Sequence, residues 1–226
     1  MSAPGPAFVR LEAVSKGYGS GSGAVHLLEH VDLELTTGQT TSLLGRSGSG
    51  KSTLLSLVAG LLLPDSGGIT IGGRRVDRLD EPGRARMRAQ QLGIVLQSDN
   101  LIPFLTAQEN VELAMSLVTR RRSSRARELL SELGLGKRLG SLPRQLSGGE
   151  AQRVAVAVAL ANGPDLLLAD EVVGQLDSAT AAEVMSYLFA VSRDRGLTLL
   201  YVTHDEQLAH AAQHALRLHD RRVSTL

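Results

Sequence analysis

The chain reads as an α/β protein whose core is interrupted by a helical insertion, and three observations predict this. A short β-type run ends in a glycine-rich loop that opens directly onto a helix. Residues 98–163 carry helical spacing and no convincing strand. Leu166, Leu167, Leu168 and Ala169 then form the short unbroken apolar run expected of a parallel strand buried on both faces.

Taken in order, residues 8–14, 31–35 and 40–44 have the texture of strands, the second alternating apolar and acidic residues. Leu54, Leu57, Val58 and Leu61 fall at i, i+3, i+4 and i+7, so Lys51 to about Gly60 is expected to be a helix with one buried face. Residues 69–71, ahead of the turn Gly72-Gly73, and 94–96 are further short strands. Inside the insertion, Ala126, Leu129, Leu130 and Leu133 repeat the helical period, and 153–161 is rich in Ala and Val. After the Asn162-Gly163-Pro164 break the core resumes. A helix buries Val184, Tyr187, Leu188 and Val191, a strand follows at 197–202, and a short helix is expected over 206–214.

At 226 residues and 42% hydrophobic, the chain can bury a sizeable core, which excludes disordered and fibrous classes. Lys and Arg number 24 against 23 Asp and Glu, so no overall field would hold the protein to nucleic acid or an anionic membrane. The absence of cysteine removes disulfides, thiolate metal sites and thiol nucleophiles, and suits a reducing compartment. The opening Met1-Ser2-Ala3-Pro4-Gly5-Pro6 has no basic start and apolar run, and no apolar stretch reaches the ~18 residues of a spanning helix. The expectation is a chain that neither is exported nor crosses a membrane.

Gly45-Arg46-Ser47-Gly48-Ser49-Gly50-Lys51-Ser52 fits G-x-x-x-x-G-K-[ST] between a predicted strand and a predicted helix. Glycines let the backbone curl so that successive N–H groups converge on phosphate oxygens, and the helix beginning near Lys51 adds its positive end. Lys51 offers a charge to the outer phosphates and Ser52 a hydroxyl for Mg²⁺. The loop alone implies a phosphate ligand and leaves the reaction open.

The class comes from what lies downstream. Leu146-Ser147-Gly148-Gly149-Glu150-Ala151-Gln152-Arg153 precedes Asp165-Leu166-Leu167-Leu168-Ala169-Asp170-Glu171, and this pairing resembles the ABC transporter ATPases, the first stretch their signature and the second their Walker B strand. Gln97 resembles the family's Q-loop glutamine, Leu176-Asp177 its D-loop and His204 its switch histidine. Val14-Ser15-Lys16-Gly17-Tyr18-Gly19 is similar to the segment whose aromatic residue stacks on adenine, which selects Tyr18. The wording at 100–103, 105–111 and 160–162 looks closest to the lipoprotein-release and macrolide-export branch. Val172-Val173 and Gln175 depart from that branch's Pro-Thr and Asn, and Val158 stands where relatives commonly carry Arg.

The resemblance implies an ABC ATPase fold: a RecA-like P-loop core with an N-terminal antiparallel β portion and an inserted helical subdomain. One domain would span 1–226, its nucleotide-binding core at 1–97 and 164–226 and its signature-bearing helical subdomain at 98–163. It implies ATP bound by Tyr18, Gly45, Arg46, Ser47, Gly48, Ser49, Gly50, Lys51, Ser52 and Thr53, with Mg²⁺ organised by Ser52, Gln97 and Asp170. Glu171, His204, Lys51 and Gln97 would carry catalysis. Leu146, Ser147, Gly148, Gly149 and Glu150 would act on the nucleotide of a second copy, with Asp177 in the D-loop, giving a two-fold ATP sandwich. The implied partners are that second copy and a separately encoded integral-membrane permease, with no nucleic acid. The chain is then expected in the cytoplasm, peripheral to the inner face of the membrane. The alternative is a soluble ABC ATPase working on nucleic acid or ribosomes. Those usually carry a coiled-coil insertion or a second cassette, and neither is present.

Two other clusters read blandly. Arg120-Arg121-Arg122 with Arg125 and Arg127 is a solvated face lacking aromatics. His210 and His214 could share a helix face, with no third ligand of clear spacing.

Overall fold

A computed structural model describes residues 5–19, 25–98, 100–118, 123–174 and 176–226. In chain order the elements are β1 (Ala7–Tyr18), β2 (Val25–Thr36), β3 (Thr40–Leu44), α1 (Lys51–Val58), β4 (Ser66–Ile71), β5 (Arg74–Arg75), α2 (Glu81–Gln91) and β6 (Leu92–Val95). The helices α3 (Ala107–Ser116), α4 (Ser123–Glu132) and α5 (Gly148–Leu160) follow, then β7 (Leu166–Asp170), α6 (Ser178–Arg195), β8 (Thr198–Thr203), α7 (Glu206–His210), β9 (His214–His219) and β10 (Arg222–Thr225). By contact they form two compact units, Met1–Arg86 with Gly196–Leu226, and Met87–Arg195.

In the first unit an antiparallel sheet runs in the order β2-β1-β4-β5, and a second sheet runs β10-β9-β3-β8 with β3 parallel to both neighbours. Val9, Leu11, Leu33, Leu35, Ile69 and Ile71 bury one face of the antiparallel sheet, the alternation that a one-sided strand requires. α1 buries Leu54, Leu55, Leu57 and Val58 but not Leu61, which is half exposed. The helix stops at Val58 because Gly60, at φ 65°, turns left-handed. Gly60 then donates its N–H to Leu57 and Leu61 donates to Ser56, the paired bonds of a Schellman stop.

The second unit pairs β6 and β7 in parallel, Val95 opposite Ala169. α5 packs on β6, and α3, α4 and α6 surround α5. Its core is built from Val111, Met115, Leu129, Leu130, Val154, Val156, Leu160, Leu166, Leu167, Leu168 and Leu188.

The end of the chain differs from expectation. The helix near residue 206 ends at His210, and His214 opens β9, so the two histidines do not share a helix face. Strand β9 is drawn into the sheet by β3, with Leu43 opposite Leu216, a long-range pairing that local periodicity does not announce. α2 and α3 are also additions to the sequence reading. Residues 120–122 lie outside the described residues, while Arg125 pairs with Glu128 and Glu132.

Candidate functional site

The phosphate loop connects β3 to α1. Gly48 and Gly50 have φ of 75° and 101°, conformations that an L side chain rarely adopts, and they fold the loop back over the start of α1. Gly50 is the N-cap of α1, with no side-chain cap and no acidic residue in the first turn. The helical ladder begins only where Leu54 N–H donates to the Gly50 carbonyl at 2.9 Å, so the amides of Ser52 and Thr53 precede it. Lys51 is 5% exposed, and its Nζ donates to the carbonyls of Gly45 at 2.8 Å and Arg46 at 3.0 Å. The Ser49 hydroxyl is buried in the loop with no partner among the described residues. Orphan amides, a helix's positive end, an ammonium and a buried hydroxyl converge, which is a cradle for an anion.

Leu44 pairs with Thr203, so Gly45 and His204 leave the same edge of the first unit's parallel sheet. His204 is exposed there, framed by α7. That helix is tied down by Ser42 Oγ donating to the Ala209 carbonyl, by Tyr201 donating its hydroxyl to the Leu208 carbonyl, and by Asp205 capping its first amides. Burial pushes the Tyr201 phenol up to about 12, which keeps it a donor. A cavity of about 1140 Å³ is bounded by the loop, His204, the first residues of β2 and the β9–β10 hairpin. Tyr18, the last residue of β1, is 46% exposed and pairs with Val25.

In the second unit, Val95 lies opposite Ala169, so Gln97 and the pair Asp170-Glu171 leave one edge of two adjacent parallel strands. The buried residues 166–169 make that edge rigid. Glu171 has φ 44°, a left-handed conformation uncommon for a residue with a Cβ, and it is fixed by Gly174 N–H donating to its carbonyl. Val172, which stands where the branch has Pro, is buried and anchors the turn. Gln175 lies outside the described residues. Nothing in the structure explains Val158.

The signature is a capped helix start. Ser147 Oγ accepts from the Glu150 amide at 3.2 Å, and Glu150 accepts from the Ser147 amide at 2.9 Å, a capping box. Arg138 donates to the other Glu150 oxygen at 2.8 Å. The Ser147 amide first, and then Arg138, hold the Glu150 carboxyl below its usual range. Gly148 and Gly149 begin α5, and Gly149 is buried against Thr180 of α6. Leu146 is half-buried just before the cap. Asp177 accepts from the Ala179 and Thr180 amides and the Thr180 hydroxyl, so its carboxylate starts α6.

Two positions escaped the sequence reading: Arg138, 12 residues from its partner, and Asp65, which holds Lys16 across 49 residues. Neither sits in a local motif.

The ABC transporter family matches residues 28–174. An uncharacterized ABC transporter ATP-binding protein, YbbA of Escherichia coli K12, is 46% identical over 220 residues, covering 95% of this chain and 96% of YbbA. The lipoprotein-releasing system ATP-binding protein LolD of Geobacter metallireducens is 46% identical, with 93% and 95% coverage. The macrolide export ATP-binding/permease protein MacB of Marinobacter nauticus is 41% identical over 94% of this chain, which spans 33% of MacB. Among solved structures, the dimeric ATP-binding cassette MJ0796 in a post-hydrolysis state with ADP and Pi superposes with a TM-score of 0.88 at 37% identity, covering 96% of this chain and 98% of that one. These likenesses establish the ABC ATPase fold and favour transport over the nucleic-acid alternative. A phosphate cradle opening α1, a carboxylate edge after β7 and a capped signature at α5, in one chain with such relatives, mean that the chain belongs to the ABC transporter family as an ATP-binding, ATP-hydrolysing subunit of its LolD- and MacB-like branch.

Proposed function

We propose that two copies of this chain sandwich two ATP molecules and, through closure and reopening, drive a separately encoded integral-membrane permease at the cytoplasmic face of the membrane. The observation that carries the reading is the uncapped start of α1 beneath the residue 45–52 loop, with buried Lys51 lying across it.

Under this reading the adenine stacks on Tyr18, and the phosphates lie on the amides of Gly45, Arg46, Ser47, Gly48, Ser49, Gly50, Lys51, Ser52 and Thr53. Lys51 offsets charge on the outer phosphates. Glu171 polarises the attacking water, and its constrained backbone keeps the carboxylate aimed without reorganisation. His204 steadies the γ-phosphate, and Gln97 orders the nucleotide's outer end. Ser52, Gln97 and Asp170 supply hydroxyl, amide and carboxylate oxygens, a hard donor set suited to Mg²⁺. Bound with the nucleotide, Mg²⁺ would offset phosphate charge.

In the partner role, Ser147 is well prepared. Its oxygen accepts the Glu150 amide, and a hydroxyl that accepts still has its own proton to donate to a phosphate. Leu146, Gly148, Gly149 and Glu150 shape that turn, and Asp177 fixes the D-loop beside it. The functional division follows the nucleotide-binding portion, 1–97 and 164–226, and the signature-bearing portion, 98–163. Among the described residues no helix is long and apolar enough to cross a membrane, which suits a permease on another chain. Phe104, 76% exposed, and exposed Leu113, Leu117 and Val118 lie at or beside α3 and suit contact with an apolar partner surface.

Glu171→Gln is the test. Expected are retained ATP binding, turnover reduced about 100-fold or more, and an ATP-dependent dimer in size-exclusion chromatography. Phosphate release at the parental rate would overturn the assignment of Glu171.

A further inference from the structure

We infer that Lys16 and Asp65 form a positioning pair that holds Tyr18 as a base platform at a set distance from the phosphate loop; the inference rests on the proposed stacking role of Tyr18. Lys16 and Tyr18 are two residues apart on β1 and so lean to one face of the strand. The Lys16 ammonium lies 5.8 Å from the Tyr18 ring centroid, within cation–π reach. Asp65 holds that ammonium at 2.6 Å through one carboxylate oxygen and accepts the Gly17 amide at 2.8 Å through the other. Its own backbone N–H donates to the Ser15 carbonyl at 2.9 Å. One residue therefore grips three consecutive positions of β1 immediately before the platform.

The grip falls where the pairing of β1 with β2 is irregular. The register shifts between Val14 and Lys16 and again between Lys16 and Gly17, the extra residue lying each time on β2, and such bulges locally disrupt the ladder while β1 keeps its alternation. The Lys16 side chain is largely covered, whereas Tyr18 is nearly half exposed. The cation is thereby held still while the ring remains open to a ligand. Hydrogen bonds from Lys16 first and then Gly17 keep the Asp65 carboxyl below its usual range, which favours the carboxylate that grips both donors.

Asp65 also has a position that links two parts of the site. It stands seven residues beyond Val58, the end of the helix whose start forms the phosphate cradle, and directly before β4. Through it, the exit of α1 is tied to the end of β1. A nucleotide that touches both ends needs its base platform and its phosphate cradle at a constant separation, and a ligand without a base does not.

The experiment compares the full chain with Lys16→Met, Lys16→Arg, Asp65→Asn and Tyr18→Ala, reading steady-state ATPase kinetics and calorimetric binding of ATP and of inorganic tripolyphosphate. Lys16→Met and Asp65→Asn are expected to raise the KM for ATP about 3- to 10-fold with kcat within about twofold, and to leave tripolyphosphate affinity unchanged. Lys16→Arg, which keeps the charge and can reach Asp65, is expected to restore most of the affinity. A rise in KM for Tyr18→Ala with none for Lys16→Met overturns the pair while sparing the platform. Equal losses of ATP and tripolyphosphate in Lys16→Met also overturn it, since a merely structural residue would act that way. If Tyr18→Ala leaves ATP affinity unchanged, the stacking reading itself fails.

Discussion

The starts of α1 and α5 solve the same problem in opposite ways. Both helices have glycine at their start, Gly50 as the N-cap of α1 and Gly148-Gly149 as the first residues of α5, and both leave backbone donors at their first turn. At α5 a capping box satisfies two of these amides from within, Glu150's by the Ser147 hydroxyl and Ser147's by the Glu150 carboxylate, and α3 has the same box in Thr106 and Glu109. At α1 no side chain caps, no acid sits in the first turn, and the N-cap is a left-handed glycine. A capping side chain contributes about 1 kcal/mol, so α1 forgoes local stability where the helix's positive end faces an anion. Under the proposed trans role α5 must also meet a phosphate, and there Arg138 offsets the charge that Glu150 brings to the cap.

Three substitutions test this contrast, in order of expected effect. Lys51→Ala removes a cation that bridges two loop carbonyls, and ATP affinity by calorimetry should fall about 100-fold or more, as expected for loss of charge-assisted bonds. Retained affinity would mean that α1 is not the anion-binding end.

At α5 the expected effect is on folding. A Cβ on Gly149 would collide with Cγ2 of Thr180, so Gly149→Ala should lower Tm by about 3–8 °C, an overpacking effect of roughly 1–3 kcal/mol. Adding Thr180→Ser keeps the hydroxyl bonded to Asp177, deletes the offending methyl, and should recover most of the loss. A double variant no more stable than the single one would place the cause elsewhere.

The smallest effect is a pH dependence at α5 that α1, with no acid in its first turn, lacks. The folded-state Glu150 carboxyl is depressed below its ordinary value of about 4.5, chiefly by the Ser147 amide and then by Arg138. Its contribution is therefore complete above about 4.5 and is lost as pH falls through the lower folded value. Amide-exchange protection of Ser147 should fall below that pH, and Glu150→Gln should flatten the profile. An unchanged profile in the variant would show that the carboxylate is not the titrating group.

How much was legible in the sequence follows from how local each feature is. The phosphate loop and the signature are contiguous because their chemistry uses successive amides of a single turn, and 45–52 and 146–150 could be read directly. Leu61 misled because periodicity extends past a Schellman stop whose only cue is Gly60. α2 escaped because Met87 is its one buried residue, leaving no apolar stripe to count. The β9–β10 hairpin escaped because its two-residue turn is Asp220-Arg221, both at positive φ, where Asn-Gly is the usual signal.

By itself, then, the order of residues determined the α/β class, the nucleotide loop, the carboxylate pair after β7 and the capped signature, since each is set by neighbours within about one turn of chain. Only the tertiary structure decided that Leu44 and Thr203 pair so that Gly45 and His204 share an edge, and that Val95 and Ala169 do the same for Gln97 and Asp170. Strand register is chosen by burial across the whole sheet, and a contact such as Lys16 to Asp65, 49 residues apart, exists only after that choice is made.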